Sequence, residues 1–136
     1  MWRALLKRYE GVNNRLNAPV DTEEIAAAER ALSVAFPTEL KDLLCELNGD
    51  NWLLFSVSQI VEINLMTREA LGQYYDKLDE LLFIAGNGCG DYYAYKICVG
   101  EADTGRIVFW DHEDNSRRVV ASSLSELITR YYSDEI

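Results

Sequence analysis

At Leu81 the hydrophobic period of this chain changes from that of helices to that of strands, and few architectures accommodate such a division. Upstream, apolar residues recur at helical spacing: Trp2, Leu5, Leu6 and Tyr9, then Ile25, Ala28 and Leu32, then Leu40, Leu43, Leu44 and Leu47. Downstream the period is two, with Tyr93, Tyr95 and Ile97 on one side of a strand and Tyr92, Ala94 and Lys96 on the other. Helices first and strands afterwards exclude the alternating rhythm of a parallel sheet. The expectation is an α+β fold, one domain over 1–136, with an antiparallel sheet of about four to six strands covered by N-terminal helices and one C-terminal helix.

Punctuation residues place the elements. Asn13, Asn14 and Asn17 with Pro19 mark an irregular connection after the first helix. Asp21-x-x-Glu24 is a variant capping box, with Glu23 and Glu24 in the first turn of a helix that ends near Ser33. Pro37 opens the leucine helix, and Asn48-Gly49 supplies its left-handed stop. Trp52-Leu53-Leu54-Phe55 reads as a short buried strand. Ser56 or Ser58 caps a segment carrying Ile60, Val61, Ile63 and Leu65, and Met66 to Leu78 reads as a more exposed helix with Gly72 inside it. Asp103-Thr104-Gly105 reads as a hairpin turn before Ile107–Trp110. Asp111 to Ser116 is a polar loop, Arg118–Ala121 a last strand, and Ser123-x-x-Glu126 opens the closing helix.

Charge narrows the partners. The net charge is −10 over 136 residues, the opposite of what a nucleic-acid interface requires, and it disfavours anionic membrane surfaces. It suits a basic protein partner, because opposite fields speed encounter; acidity also serves solubility alone. No apolar run approaches the roughly 20 residues of a membrane helix, and the N-terminus has no signal-peptide pattern. A cytosolic protein is expected, with Cys45, Cys89 and Cys98 reduced and mostly buried. Nothing in the sequence sets an oligomeric state.

The chemical candidates cluster around Leu81–Ile97. Gly86-Asn87-Gly88-Cys89-Gly90 has neither GxGxxG spacing nor a phosphate-binding lysine, and strand rather than helix follows it, so a tight loop is expected, not a phosphate cradle. Asp111-His112-Glu113 holds the only histidine, without a second one at ligand spacing, so no metal and no cofactor are expected. Strand pairing could bring Asp91 close to it. Ser-His-Asp ingredients exist without a GxSxG context. The remaining enzyme reading is a small hydrolase with Cys89 as nucleophile and His112 as base. Trp52, Tyr92, Tyr93, Tyr95 and Trp110 lie in or beside strands, where acid-rimmed aromatics suit a protein-binding face and a doubly covered sheet would make them core.

Together these pieces resemble a SUKH domain of the Smi/Knr type, the superfamily of the fungal cell-wall regulators. The resemblance rests on Trp2, Ala28-x-x-x-Leu32, Pro37, the leucine helix with Asn48-Gly49-Asp50, Asn87-Gly88-x-Gly90-Asp91-Tyr92-Tyr93, Trp110-Asp111-His112-Glu113 and the closing Ser123–Ile128. It covers nearly the whole chain in order, with Pro37, Asn48, Gly49, Gly88, Gly90 and Asp91 as fold signature. For small bacterial members it implies an immunity role: binding and neutralising a cognate polymorphic toxin, often a nuclease, with no catalysis. A regulatory or scaffold protein like the fungal members is the alternative. On the immunity reading the expected contact residues are Asp91, Tyr92, Trp110, Asp111 and Glu113, facing a toxin with a basic surface.

Overall fold

The computed structural model describes residues 1–11 and 14–136, so Asn13 of the expected irregular connection lies outside the described residues. Helix α1 (Trp2–Lys7) buries Trp2 and Leu6. Helix α2 (Thr22–Leu32) starts where Asp21 Oδ1 accepts the Glu24 N–H at 2.9 Å, and ends at Ser33 in the left-handed region. Pro37, with extended backbone, precedes α3 (Thr38–Leu44). This helix stops short of Leu47: the N–H groups of Glu46 and Leu47 both reach Leu43 O, tightening the last turn, and Leu47 stays fully buried. Gly49 turns the chain at φ +83°, and a Cβ there would meet Leu54 O and Ser56 N at 2.9 Å. Only glycine fits that turn.

Trp52–Phe55 forms no strand. Asp50, fully buried, accepts the N–H groups of Trp52, Leu53 and Leu54 through Oδ1 at 3.1, 2.9 and 2.8 Å, winding the segment into a turn. Its other oxygen accepts the Tyr132 hydroxyl from the C-terminal helix. An isolated bridge, Leu54 to Ala85, is what remains of the expected strand. Ser56 and Gln59 then make a full capping box for α4 (Val57–Leu71). The separate helix expected over Met66–Leu78 is instead the second half of α4, which ends before Gly72 and is followed by turn and a short 3₁₀ segment, Leu78–Glu80.

Four strands form one antiparallel meander in the order β1 (Leu81–Gly86), β2 (Tyr92–Cys98), β3 (Glu101–Trp110), β4 (Arg117–Ala121), closed by α5 (Leu124–Tyr132). The α+β class and its helical covering are as the sequence implies. The β2–β3 turn differs. It falls at Val99-Gly100, both at positive φ (52° and 75°), the backbone a two-residue hairpin needs. Asp103–Arg106 is looped out between the pairs Ile97–Ala102 and Tyr95–Ile107, so the Asp-Thr-Gly signal makes a bulge within β3. Gly105 N–H closes it on Asp103 Oδ1 at 2.9 Å.

Both sheet faces are covered. Leu82, Ile84, Tyr93, Tyr95 and Ile107 pack against α1, α2, α3 and α5, while Leu81, Phe83, Ala94 and Trp110 pack against Leu78 and the inner side of α4. Glu39 ties three elements on the first side, accepting the Tyr95 hydroxyl at 2.5 Å and the Leu124 N–H at 3.1 Å. The three cysteines are free but exposed, against expectation, because each sits on a helix end, loop or strand end outside the packed stripes. No helix among the described residues is long and apolar enough to cross a membrane.

Asp50→Ala removes the acceptor of three backbone N–H groups and the Tyr132 hydroxyl. It should lower unfolding free energy by about 3 kcal/mol, read as a drop in the urea midpoint at unchanged slope.

Candidate functional site

The site is built where two loops meet at one end of the sheet. The β1–β2 loop carries Asn87–Asp91 and the β3–β4 loop Asp111–Ser116; pairing of Tyr92 with Trp110 sets them side by side. The β1–β2 loop folds on itself, with Asn87 N–H donating to Asp91 O (3.3 Å), Asn87 Nδ2 to Asp91 Oδ2 (3.1 Å) and Cys89 N–H to Asn87 Oδ1 (2.8 Å). Asp91 Oδ1 then crosses to the other loop. It accepts the His112 backbone N–H at 3.1 Å and the His112 ring Nδ1–H at 2.6 Å. Gly90, at φ +92°, lies against that ring: a Cβ there would come within 3.2 Å of His112 Nδ1. A side chain at this position would strain the backbone and press the imidazole off its partner.

The β3–β4 loop is fastened from below as well. Tyr75 donates its hydroxyl to His112 O at 2.6 Å, and the Trp110 indole N–H donates to Asn115 Oδ1 at 2.7 Å. Asn115 and Arg117 both reach Asp76 O, at 3.2 and 3.0 Å. The loop's own carboxylates bend it further, Asp111 Oδ1 accepting the Glu113 N–H (2.8 Å) and Asp114 Oδ1 the Ser116 N–H (2.9 Å).

The titration of the pair follows from these contacts. Partial burial pushes the Asp91 carboxyl up, but hydrogen bonds from His112 and Asn87 together hold it below the usual carboxylate range. The hydrogen bond to Asp91 raises the His112 imidazole above its ordinary value, with Glu113 and Asp111 adding in the same direction. A raised histidine stabilises the fold fully below about pH 6.5 and loses that contribution as pH climbs through the folded value. A depressed aspartate contributes above about pH 4 and loses it as pH falls through its folded value. The two conditions overlap between about pH 4 and 6.5, where the tie is strongest.

Each residue expected at a partner surface now has a place. Asp111 is half-buried; Glu113 is exposed on the same loop. Asp91, its side chain 15% exposed, is occupied in joining the loops. Tyr92 is half-buried, stacked on Trp110 with ring centroids 5.7 Å apart. Trp110 is fully buried beneath Tyr92 and Tyr75, so it offers no surface to a partner and supports the loop instead. Tyr93 and Tyr95 are core, and Trp52 is the exposed one of these rings. The wall from α4 escaped the sequence reading: Met66, Thr67, Ala70 and Leu71 face Gly90, Tyr92 and His112. Met66 and Ala70, four apart in a polar stretch of helix, were its only signal.

Two chemistries can be weighed against this geometry. Donor atoms of Asp91, Asp111 and His112 lie within 4.8 Å of one another and are the residues that could hold a cation. Asp91 Oδ1 already binds two His112 N–H groups, and Asp111 Oδ1 that of Glu113, so a cation would have to displace the ring proton. For hydrolysis, Asp91 orients His112 as it would a general base. Among the described residues, however, no hydroxyl or thiol is hydrogen-bonded to Nε2, and Cys89 is held by its backbone to Asn87.

With this architecture in place, comparison with known families is decisive: the model of the SMI1 / KNR4 family (SUKH-1) matches residues 19–130. The chain belongs to that family. No curated protein matches it. The SUKH-1 match takes in α2 to most of α5, hence both loops and α4, and leaves residues 1–18 and 131–136 outside.

In NMR titration the single imidazole of this SUKH-1 protein should show a pKa above about 6.5, falling towards that value in Asp91→Asn. An unshifted histidine in the native chain would dissolve the pair. Trp110→Ala should cost about 3–5 kcal/mol of unfolding free energy, the signature of a core ring and not of a surface contact.

Proposed function

We propose that this SUKH-1 protein is a cytosolic immunity protein. It binds a cognate polymorphic toxin stoichiometrically and neutralises it, with a nuclease as the expected toxin and no catalysis of its own. The observation that carries this reading is the placement of Asp111, Glu113 and Asp114 on a loop tied down by Asp91, Tyr75 and Trp110, in a family member of net charge −10. Carboxylates held in advance of encounter bind a basic surface with little ordering cost. An acidic ridge can occupy a nuclease's cationic substrate cleft as phosphates would, excluding the nucleic acid.

Co-expression with the toxin encoded beside this chain is the direct test. Growth should be rescued and a stable complex recovered. A toxin neither bound nor neutralised rejects the reading, and housekeeping partners recovered in its place would favour a regulatory scaffold. Within the complex, Asp111→Lys with Glu113→Lys should slow association about tenfold or more at low salt and flatten its salt dependence, with dissociation less affected. Unchanged association kinetics would remove this loop from the interface.

A further inference from the structure

Between the second half of α4 and the joined loops lies a cavity of about 310 Å³. Met66, Thr67, Ala70 and Leu71 line one side and Tyr92 the other, backed by the buried Trp110, with Gly90 and His112 at the lip. The space is at the small end of ligand pockets, about 300–1,000 Å³, which suits one long side chain and not a folded element. Its lining is mostly apolar with one aromatic face, and carboxylates stand near its lip. The Asp111 carboxylate lies within 4.8 Å of a His112 ring nitrogen at that lip, Glu113 follows on the loop, and Glu69 is exposed on α4 between Arg68 and Ala70. The nearby positive charges are diverted: His112 is bound by Asp91, and Arg68 turns inward to donate to Leu81 O at 3.2 Å. Among the described residues no hydrogen bond reaches Asp111 Oδ2, whose partner oxygen takes the Glu113 N–H.

An open apolar hollow with an aromatic wall and carboxylates near its lip complements a side chain with an aliphatic stem and a cationic head. The geometry points to a socket for one arginine projecting from a basic protein surface. Arginine fits better than lysine because its planar guanidinium stacks on an aromatic face and meets a carboxylate with two parallel hydrogen bonds. Buried arginines are also frequent anchors of protein interfaces. The partner's identity as a toxin rests on the proposed immunity role; the socket's chemistry does not.

The probe is the blocked tripeptide acetyl-Gly-Arg-Gly-amide, titrated at low salt into the full ¹⁵N-labelled chain beside its citrulline and lysine counterparts. Saturable shifts should appear at the amides of Ala70, Gly90, Tyr92 and His112. The citrulline peptide should bind at least about fivefold more weakly, and Asp111→Asn should reduce arginine binding by a similar factor. Ala70→Trp, which fills the cavity from an exposed helix position, should abolish these shifts while leaving the rest of the spectrum in place. Equal binding of arginine and citrulline, tighter binding of lysine, or shifts that persist in Ala70→Trp would overturn the socket. The toxin arm separates the two ideas. Toxin binding unaltered by Ala70→Trp overturns the socket and leaves the immunity role standing. A native chain that takes the arginine peptide but no toxin overturns that role and keeps the socket.

Discussion

β1 lies at the edge of the sheet yet is buried along its whole length, so the backbone groups on its free side need partners other than water. The rest of the molecule is arranged to supply them. Asn64, itself fully buried on α4, pairs with Phe83 as a strand would, donating to Phe83 O at 2.9 Å and accepting Phe83 N–H at 2.9 Å. Arg68, one turn on, covers Leu81 O, and the Leu53–Phe55 segment takes Ile84 O and Gly86 N–H. That segment is in position only because Asp50 winds it, and Asp50 in turn holds α5 through Tyr132. One buried edge therefore links α4, the turn after α3 and the C-terminal helix.

At the adjoining sheet end, one residue carries the organisation. Asp91 is both the close of its own loop and the acceptor that captures the next, which takes it out of the set of groups free to meet a partner. On the proposed role, recognition would fall to its neighbours, Asp111 and Glu113 for charge and Tyr92 for a ring face over the buried Trp110. The loop carboxylates gain a fixed geometry while one carboxylate is used internally, and the lone histidine fastens the two loops together.

Local signals were legible wherever they were decided within a few residues. Asp21, Ser56, Ser123, Gly49 and the leucine stripe of α3 each satisfy or orient their own backbone, and the structure keeps them all. Legibility failed where a distant partner decided. Trp52–Phe55 has strand composition, but a buried carboxylate two to four residues upstream claims its N–H groups. Asp103-Thr104-Gly105 has turn chemistry, but β2 pairs on either side of it, leaving a bulge. The sequence leaves Trp110 open between surface ring and core, because a polar stretch over Met66–Leu71 conceals the helix that covers the second face of the sheet. The joining of Asp91 to His112 was foreseeable only as a possibility of strand register, because a one-residue slip would have separated them.

The side-chain mimicry of a strand by Asn64 has a consequence for how this protein fails. In most sheets an edge is shielded by another strand or by charge; here a helix side chain does it, so the shielding lasts only while α4 is docked. A local opening that lifts α4 uncovers Leu81–Gly86, six consecutive apolar or small residues with unpaired backbone, together with the aromatic surface beneath. Such a segment is a template for intermolecular β-pairing. The helix that walls the cavity thus also guards the chain against self-association, and substitutions that loosen α4 trade directly against solubility.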